Sequence, residues 1–101
     1  MLKLDNKFLD LELITPEGIL LADQVKKVKL FTSLGGLTIL PNHAELKSDI
    51  VSGTLKISFY EEAKGDIKYD VGDGVIEVSP SKVTIIASSA KARITEDPYK
   101  L

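Results

Sequence analysis

Leu55-Lys56-Ile57-Ser58-Phe59-Tyr60 and Ile67-Lys68-Tyr69-Asp70-Val71 both alternate apolar with polar side chains, and a short polar stretch separates them. In an extended chain successive side chains point to opposite faces, so each segment has one face to bury and one to leave wet. The stretch between them contains Lys64-Gly65-Asp66, the chemistry of a turn, and the two segments are expected to pair as an antiparallel hairpin. Helical spacing of the apolar residues is missing from both.

The same period recurs outward from this hairpin. Leu9, Leu11 and Leu13 alternate with Asp10 and Glu12, and Val83, Ile85 and Ala87 form a further set. Ile14 and Ile86 fall on the other face, which predicts that some strands are covered on both sides. Turn signals punctuate the chain at Thr15-Pro16-Glu17-Gly18, Gly35-Gly36, Pro41-Asn42, Ser52-Gly53, Gly72-Asp73-Gly74 and Ser79-Pro80-Ser81. Short strands joined by tight turns predict an all-β chain, an antiparallel β-sandwich of two sheets with little or no helix. Val25 is out of step with Val28 and Leu30, and a β-bulge accounts for that more cheaply than a helix. His43 to Ile50 has room for one helical turn at most. The polar stretch from Ala90 to Leu101 reads as a fraying end.

Composition bounds the function. The chain has 101 residues, 44% apolar and 28% charged, which fits one globular domain. It has no cysteine, so neither disulfides nor thiolate metal sites are available. The net charge is -2, and the one basic run, Lys26-Lys27-Val28-Lys29, spreads its charges along an expected strand with no aromatic platform after it; this argues against nucleic-acid binding. No apolar run reaches the roughly 20 residues of a membrane-spanning helix, so direct membrane insertion is not expected. His43 is the only histidine, with Ser48 and Asp49 near it in sequence; neighbours in sequence seldom make a catalytic triad, and no Gly-x-Ser-x-Gly elbow occurs. Gly35-Gly36 lacks the lysine of a P-loop, and Gly72 and Gly74 are read as supplying positive φ at a turn. These residues predict no catalytic, metal or cofactor site.

Ser33-Leu34-Gly35-Gly36-Leu37-Thr38-Ile39-Leu40-Pro41-Asn42-His43-Ala44-Glu45-Leu46 resembles the signature of the epsilon subunit of F-type ATP synthases (delta in mitochondria). Leu13 to Gly18, Gly53 to Ile57, Gly74 to Val78 and Lys82 to Ala87 are similar to that family in order and spacing. The resemblance implies a sandwich domain over residues 9–92, after an extension at 1–8 and before a tail at 93–101. It further implies a non-catalytic rotor subunit of the central stalk, without a cofactor, that couples rotation to ATP synthesis in a proton-translocating enzyme. Its partners would be the gamma subunit and the membrane ring of proteolipid subunits. Its place would be peripheral to a membrane, the cytoplasmic face of a bacterial inner membrane. By the same resemblance Ser33, Leu34, Gly35, Gly36, Asn42 and His43 are candidate ring contacts, and Leu40 stands between core and interface. Leu34 replaces a usual Glu, Thr38 a usual Gly and Glu45 a usual Pro, which alters the charge of the expected ring contact; Thr38 implies a strand position with no need for positive φ. Family members commonly continue into two helices, which some use to bind ATP; the last residues here have no room for such a pair, so no ATP binding is expected. A free-standing β-sandwich binding or adhesion module without a rotor role is the alternative.

Overall fold

A computed structural model describes residues 5–93 of the chain. Among these residues nine strands follow one another: β1 (Leu9–Thr15), β2 (Gly18–Thr32), β3 (Gly35–Ile39), β4 (Leu46–Ile50), β5 (Gly53–Phe59), β6 (Asp66–Val71), β7 (Gly74–Val78), β8 (Lys82–Ala87) and β9 (Ala90–Ala92). One 3-10 turn, Glu62–Lys64, interrupts the loop between β5 and β6. The hairpin expected from the sequence forms with Leu55 opposite Tyr69 and Ile57 opposite Ile67.

The long β2 joins two layers. Its first half pairs with β1, and its second half pairs with β5 and β3. Val25 lies opposite Phe59 and Lys27 opposite Ser58, which leaves Lys26 without a partner. This is the bulge that the misphased Val25 announced, and it lets the strand turn from one layer to the other. The first layer runs β4-β7-β8-β1-β2 and the second β3-β2-β5-β6-β9, with hydrogen bonding continuous through β2. Leu11, Leu13, Val83 and Ile85 of the first layer and Val28, Ile39, Leu55 and Ile57 of the second are fully buried in one core.

Several expectations need correction. β1 and β8 pair in parallel, Asp10 opposite Lys82 through Ile14 opposite Ile86. Tight turns dictate antiparallel pairing only between neighbours in sequence, and the chain between β1 and β8 supplies the crossover. Leu46 to Ile50 is a strand paired with β7, not a helical turn. Ala90–Ala92 pairs with β6, so the chain is held further than a fraying end from Ala90 would allow; residues 94–101 lie outside the described part. Ile86 is 47% exposed, so β8 is not covered on its second face. Gly72 and Gly74 do not take positive φ; Gly18, Gly35 and Gly65 do. At Gly74 the requirement is space, because a Cβ there would lie 1.9 Å from the carbonyl oxygen of Ile86.

Residues 5–8 pack on the body. Asn6 bonds Asn42, and the Phe8 and Tyr60 rings lie 5.1 Å apart.

Candidate interface sites

Two hairpin turns flank β2 and share one construction. In Thr15-Pro16-Glu17-Gly18 the Glu17 N–H donates to the Thr15 hydroxyl at 3.2 Å, and in Thr32-Ser33-Leu34-Gly35 the Leu34 N–H donates to the Thr32 hydroxyl at 3.1 Å. Each turn closes on a glycine at φ near +115°: Gly18 at 114° and Gly35 at 118°, where an L side chain is strained. Ser33 is tied from outside, its N–H and hydroxyl donating to the Asp49 carboxylate at 3.3 and 3.0 Å. Leu34 is thereby held out at the tip with 96% of its surface exposed. Gly36 follows in β3 opposite Phe31, whose ring lies close over it and over Gly53.

Leu40, Asn42 and His43 lie at the other end of β3, so the structure divides the candidate residues into two groups. Asn42 takes the left-handed conformation at φ 68°, which asparagine tolerates better than most residues. Its N–H donates to Pro80 O at 2.8 Å. Its side-chain oxygen accepts from the Asn6 N–H at 3.0 Å while its amide donates to Asn6 O at 3.0 Å. Asn42 thus fastens the N-terminal segment to two turns. The His43 ring nitrogen Nδ1 donates to Ala44 O at 2.7 Å, which fixes the tautomer. The Ser48 hydroxyl donates to Asp49 rather than to the imidazole, so the three residues do not form a triad. Leu40 is half exposed, which places it outside the core. Among the described residues no three His, Asp or Glu side chains cluster closely enough to hold a metal ion.

The outer faces of the two layers differ. On the first, Val75 lies opposite Ile86, Ile86 opposite Ile14, and Ile14 opposite Ile19. This is an apolar row across four strands, with Val75 52% and Ile19 61% exposed. Leu20, set off by the register shift in β1–β2, adds to it. On the second layer Lys29 lies opposite Lys56, and Lys56 opposite Lys68. Phe31 follows Lys29 on the same face, half exposed. The expectation that the lysine run lacks an aromatic neighbour is corrected by this placement: the bulge at Lys26 leaves Lys27, Lys29 and Phe31 on one side. A glance at positions i and i+2 beyond the bulge would have found Phe31; the cross-strand lysines leave no mark in the sequence.

Ion pairs brace the loops. The Lys64 ammonium donates to Asp23 at 2.7 Å, which holds the Asp23 carboxyl below its ordinary range and raises Lys64. Asp66 is lowered by the Ser58 hydroxyl and then by Lys56. Arg93 bonds Asp70 and donates to the Thr54 hydroxyl at 2.9 Å.

A body with two hairpin tips and two contrasting sheet faces is a β-sandwich domain. Residues 8–93 match the family model described as "ATP synthase, Delta/Epsilon chain, beta-sandwich domain", and the chain belongs to that family. The ATP synthase epsilon chain of Persephonella marina is 38% identical over 80 residues, 79% of this chain and 57% of that protein. That of Sulfurovum sp. is 35% identical over 92 residues, 90% of this chain and 70% of that protein. The chain thus spans little more than half to about two-thirds of these relatives. A chain in the cryo-EM structure of the Euglena gracilis mitochondrial ATP synthase, OSCP/F1/c-ring, shares the fold with a TM-score of 0.82 at 18% identity, over 89% of this chain and 56% of that one. A chain of the Tetrahymena thermophila mitochondrial ATP synthase central stalk/c-ring does so with a TM-score of 0.70 at 20% identity, over 86% and 67%. No helix among the described residues is long and apolar enough to cross a membrane.

Proposed function

We propose that this chain is a non-catalytic rotor subunit of the central stalk of a proton-translocating F-type ATP synthase. It holds the gamma subunit and the proteolipid ring together so that rotation and ATP synthesis stay coupled. The observation that carries this reading is the apolar row Val75-Ile86-Ile14-Ile19, largely exposed on one face of the sheet. Monomeric proteins rarely expose contiguous apolar surface of this kind without a partner for it. The family supplies the setting, and the sequence of relatives named as ATP synthase epsilon chains supports it.

The gamma subunit is assigned to the apolar face and the ring to the Ser33–Gly36 tip. Leu34 then enters the ring contact as an apolar anchor. Leu40 and His43, at the far end of β3, serve a second contact. On this assignment the chain works peripherally at the membrane, at the cytoplasmic face in a bacterium. Leu34→Lys should lower proton-coupled ATP synthesis in membranes while the purified chain melts within about 0.5 kcal/mol of wild type, because an exposed tip contributes little to folding. Unchanged coupling with normal incorporation would remove the tip from the contact.

A further inference from the structure

We infer that the outer face of the second layer is a docking strip for an acidic, amphipathic helix of a partner protein, with Lys29, Lys56 and Lys68 receiving its carboxylates and Phe31 receiving an apolar side chain.

The register puts these lysines directly opposite one another on β2, β5 and β6. Like charges so placed repel and weaken a sheet, so the row works against folding in the free chain. Only Lys56 has a carboxylate within reach among the described residues, Asp66 at 3.5 Å. The ion pairs found there do not include Lys29 or Lys68. Phe31 borders the row, and Thr38 extends it onto β3. A groove of about 500 Å³ runs between them over Gly36 and Thr54.

The shape of the charge selects the occupant. Asp66 and Asp70 lie two residues to either side of Lys68 on the same face of β6. On β6 the positive line is therefore one residue deep and bounded by acids, while on β2 Lys27 adds to it beside Lys29. A membrane presents a plane of anionic headgroups and a nucleic acid a long phosphate track, and both would meet those aspartates. A line of carboxylates does not. Neighbouring strands are about 4.8 Å apart, and carboxylates at i and i+4 on a helix are about 5–6 Å apart; the two ladders run nearly in step. The apolar Phe31 at one end of the strip sets the helix's direction.

The strip goes beyond the rotor reading, and its test uses the chain by itself. The probe is a synthetic helix with Glu at every fourth position and Leu beside them, compared with a twin in which Lys replaces Glu. Amide shifts in the ¹⁵N-labelled full chain should centre on Lys29, Lys56, Lys68 and Gly36 with the Glu helix and be absent with its twin. Binding should weaken as salt is raised. The double variant K29Q/K68Q should bind about tenfold more weakly, as the loss of two exposed ion pairs allows, and its melting temperature should not fall, because the variant relieves like-charge contact. The inference is overturned if the twin binds equally, or if the shifts gather around Val75 and Ile86. It is equally overturned if vesicles with 30% phosphatidylserine or a single-stranded oligonucleotide bind the strip while the Glu helix does not.

Discussion

Gly74 and Gly72 flank the same turn, and replacing each by alanine separates a backbone obstacle from a side-chain one. A Cβ at Gly74 would lie 1.9 Å from Ile86 O and 2.8 Å from the Cα of Ala87. A carbon settles against a carbonyl oxygen at about 3.3 Å or more, so the shortfall is about 1.4 Å against atoms that belong to the partner strand. Relief requires β7 and β8 to part where Gly74 faces Ala87. Overpacking costs about 1–3 kcal/mol, and one ladder bond lost at that end adds about 1 kcal/mol. The expected sum for Gly74→Ala is about 3 kcal/mol, which lowers the melting temperature of a domain this size by about 12–24 °C. At Gly72 the nearest atoms to a Cβ are the Ser88 and Ser89 hydroxyls, at 2.3 and 2.8 Å. Both swing away about χ1, and alanine also narrows the unfolded ensemble. Gly72→Ala should therefore change stability by less than about 1 kcal/mol. Calorimetry of the two variants beside wild type decides the matter. The reasoning is refuted if Gly74→Ala melts within a few degrees of wild type, or if Gly72→Ala falls as far.

Asn42 combines a left-handed backbone with paired bonds to Asn6, so Asn42→Gly should cost about 1 kcal/mol for the lost hydrogen bonds and Asn42→Ala about 1 kcal/mol more for the strained backbone; equal urea midpoints for the two would contradict this. Asp23 has a folded pKa below its unfolded one, chiefly through the Lys64 hydrogen bond. Its contribution is therefore present above the unfolded value near 3.9 and disappears as pH falls through the folded value. Asp23→Asn should flatten the acid limb of the stability profile below about pH 4, and an unchanged slope in acid titrations would show that the pair does not form.

Much of the sandwich is legible in residues 9–87 because strand burial follows a two-residue period. Leu9, Leu11, Leu13, Leu55, Ile57, Val83 and Ile85 are all in the core, and the phase slip at Val25 marks the bulge. Elements that depend on distant partners are not legible. The parallel β1–β8 pair is set by a crossover, and β4 is a strand because β7 offers it an edge, though Leu46 to Ile50 barely alternates. The glycine at position 74 looks like a turn residue until Ile86 is brought against it. Of the candidate site, the Ser33–Gly36 tip is recognisable from its motif, but the division of Leu40, Asn42 and His43 from it follows from the length of β3. The lysine row exists only through register, since Lys29, Lys56 and Lys68 come from three separate strands.

Affinity purification of the tagged full chain from mildly solubilised membranes of its source, followed by mass spectrometry, tests the rotor assignment most directly. The expected result is recovery of gamma and proteolipid subunits together with the chain, and their loss when Val75 and Ile86 are both changed to Glu in a chain that still melts cooperatively. Recovery of the folded chain without either subunit, from membranes whose ATP synthase is intact, would contradict the assignment.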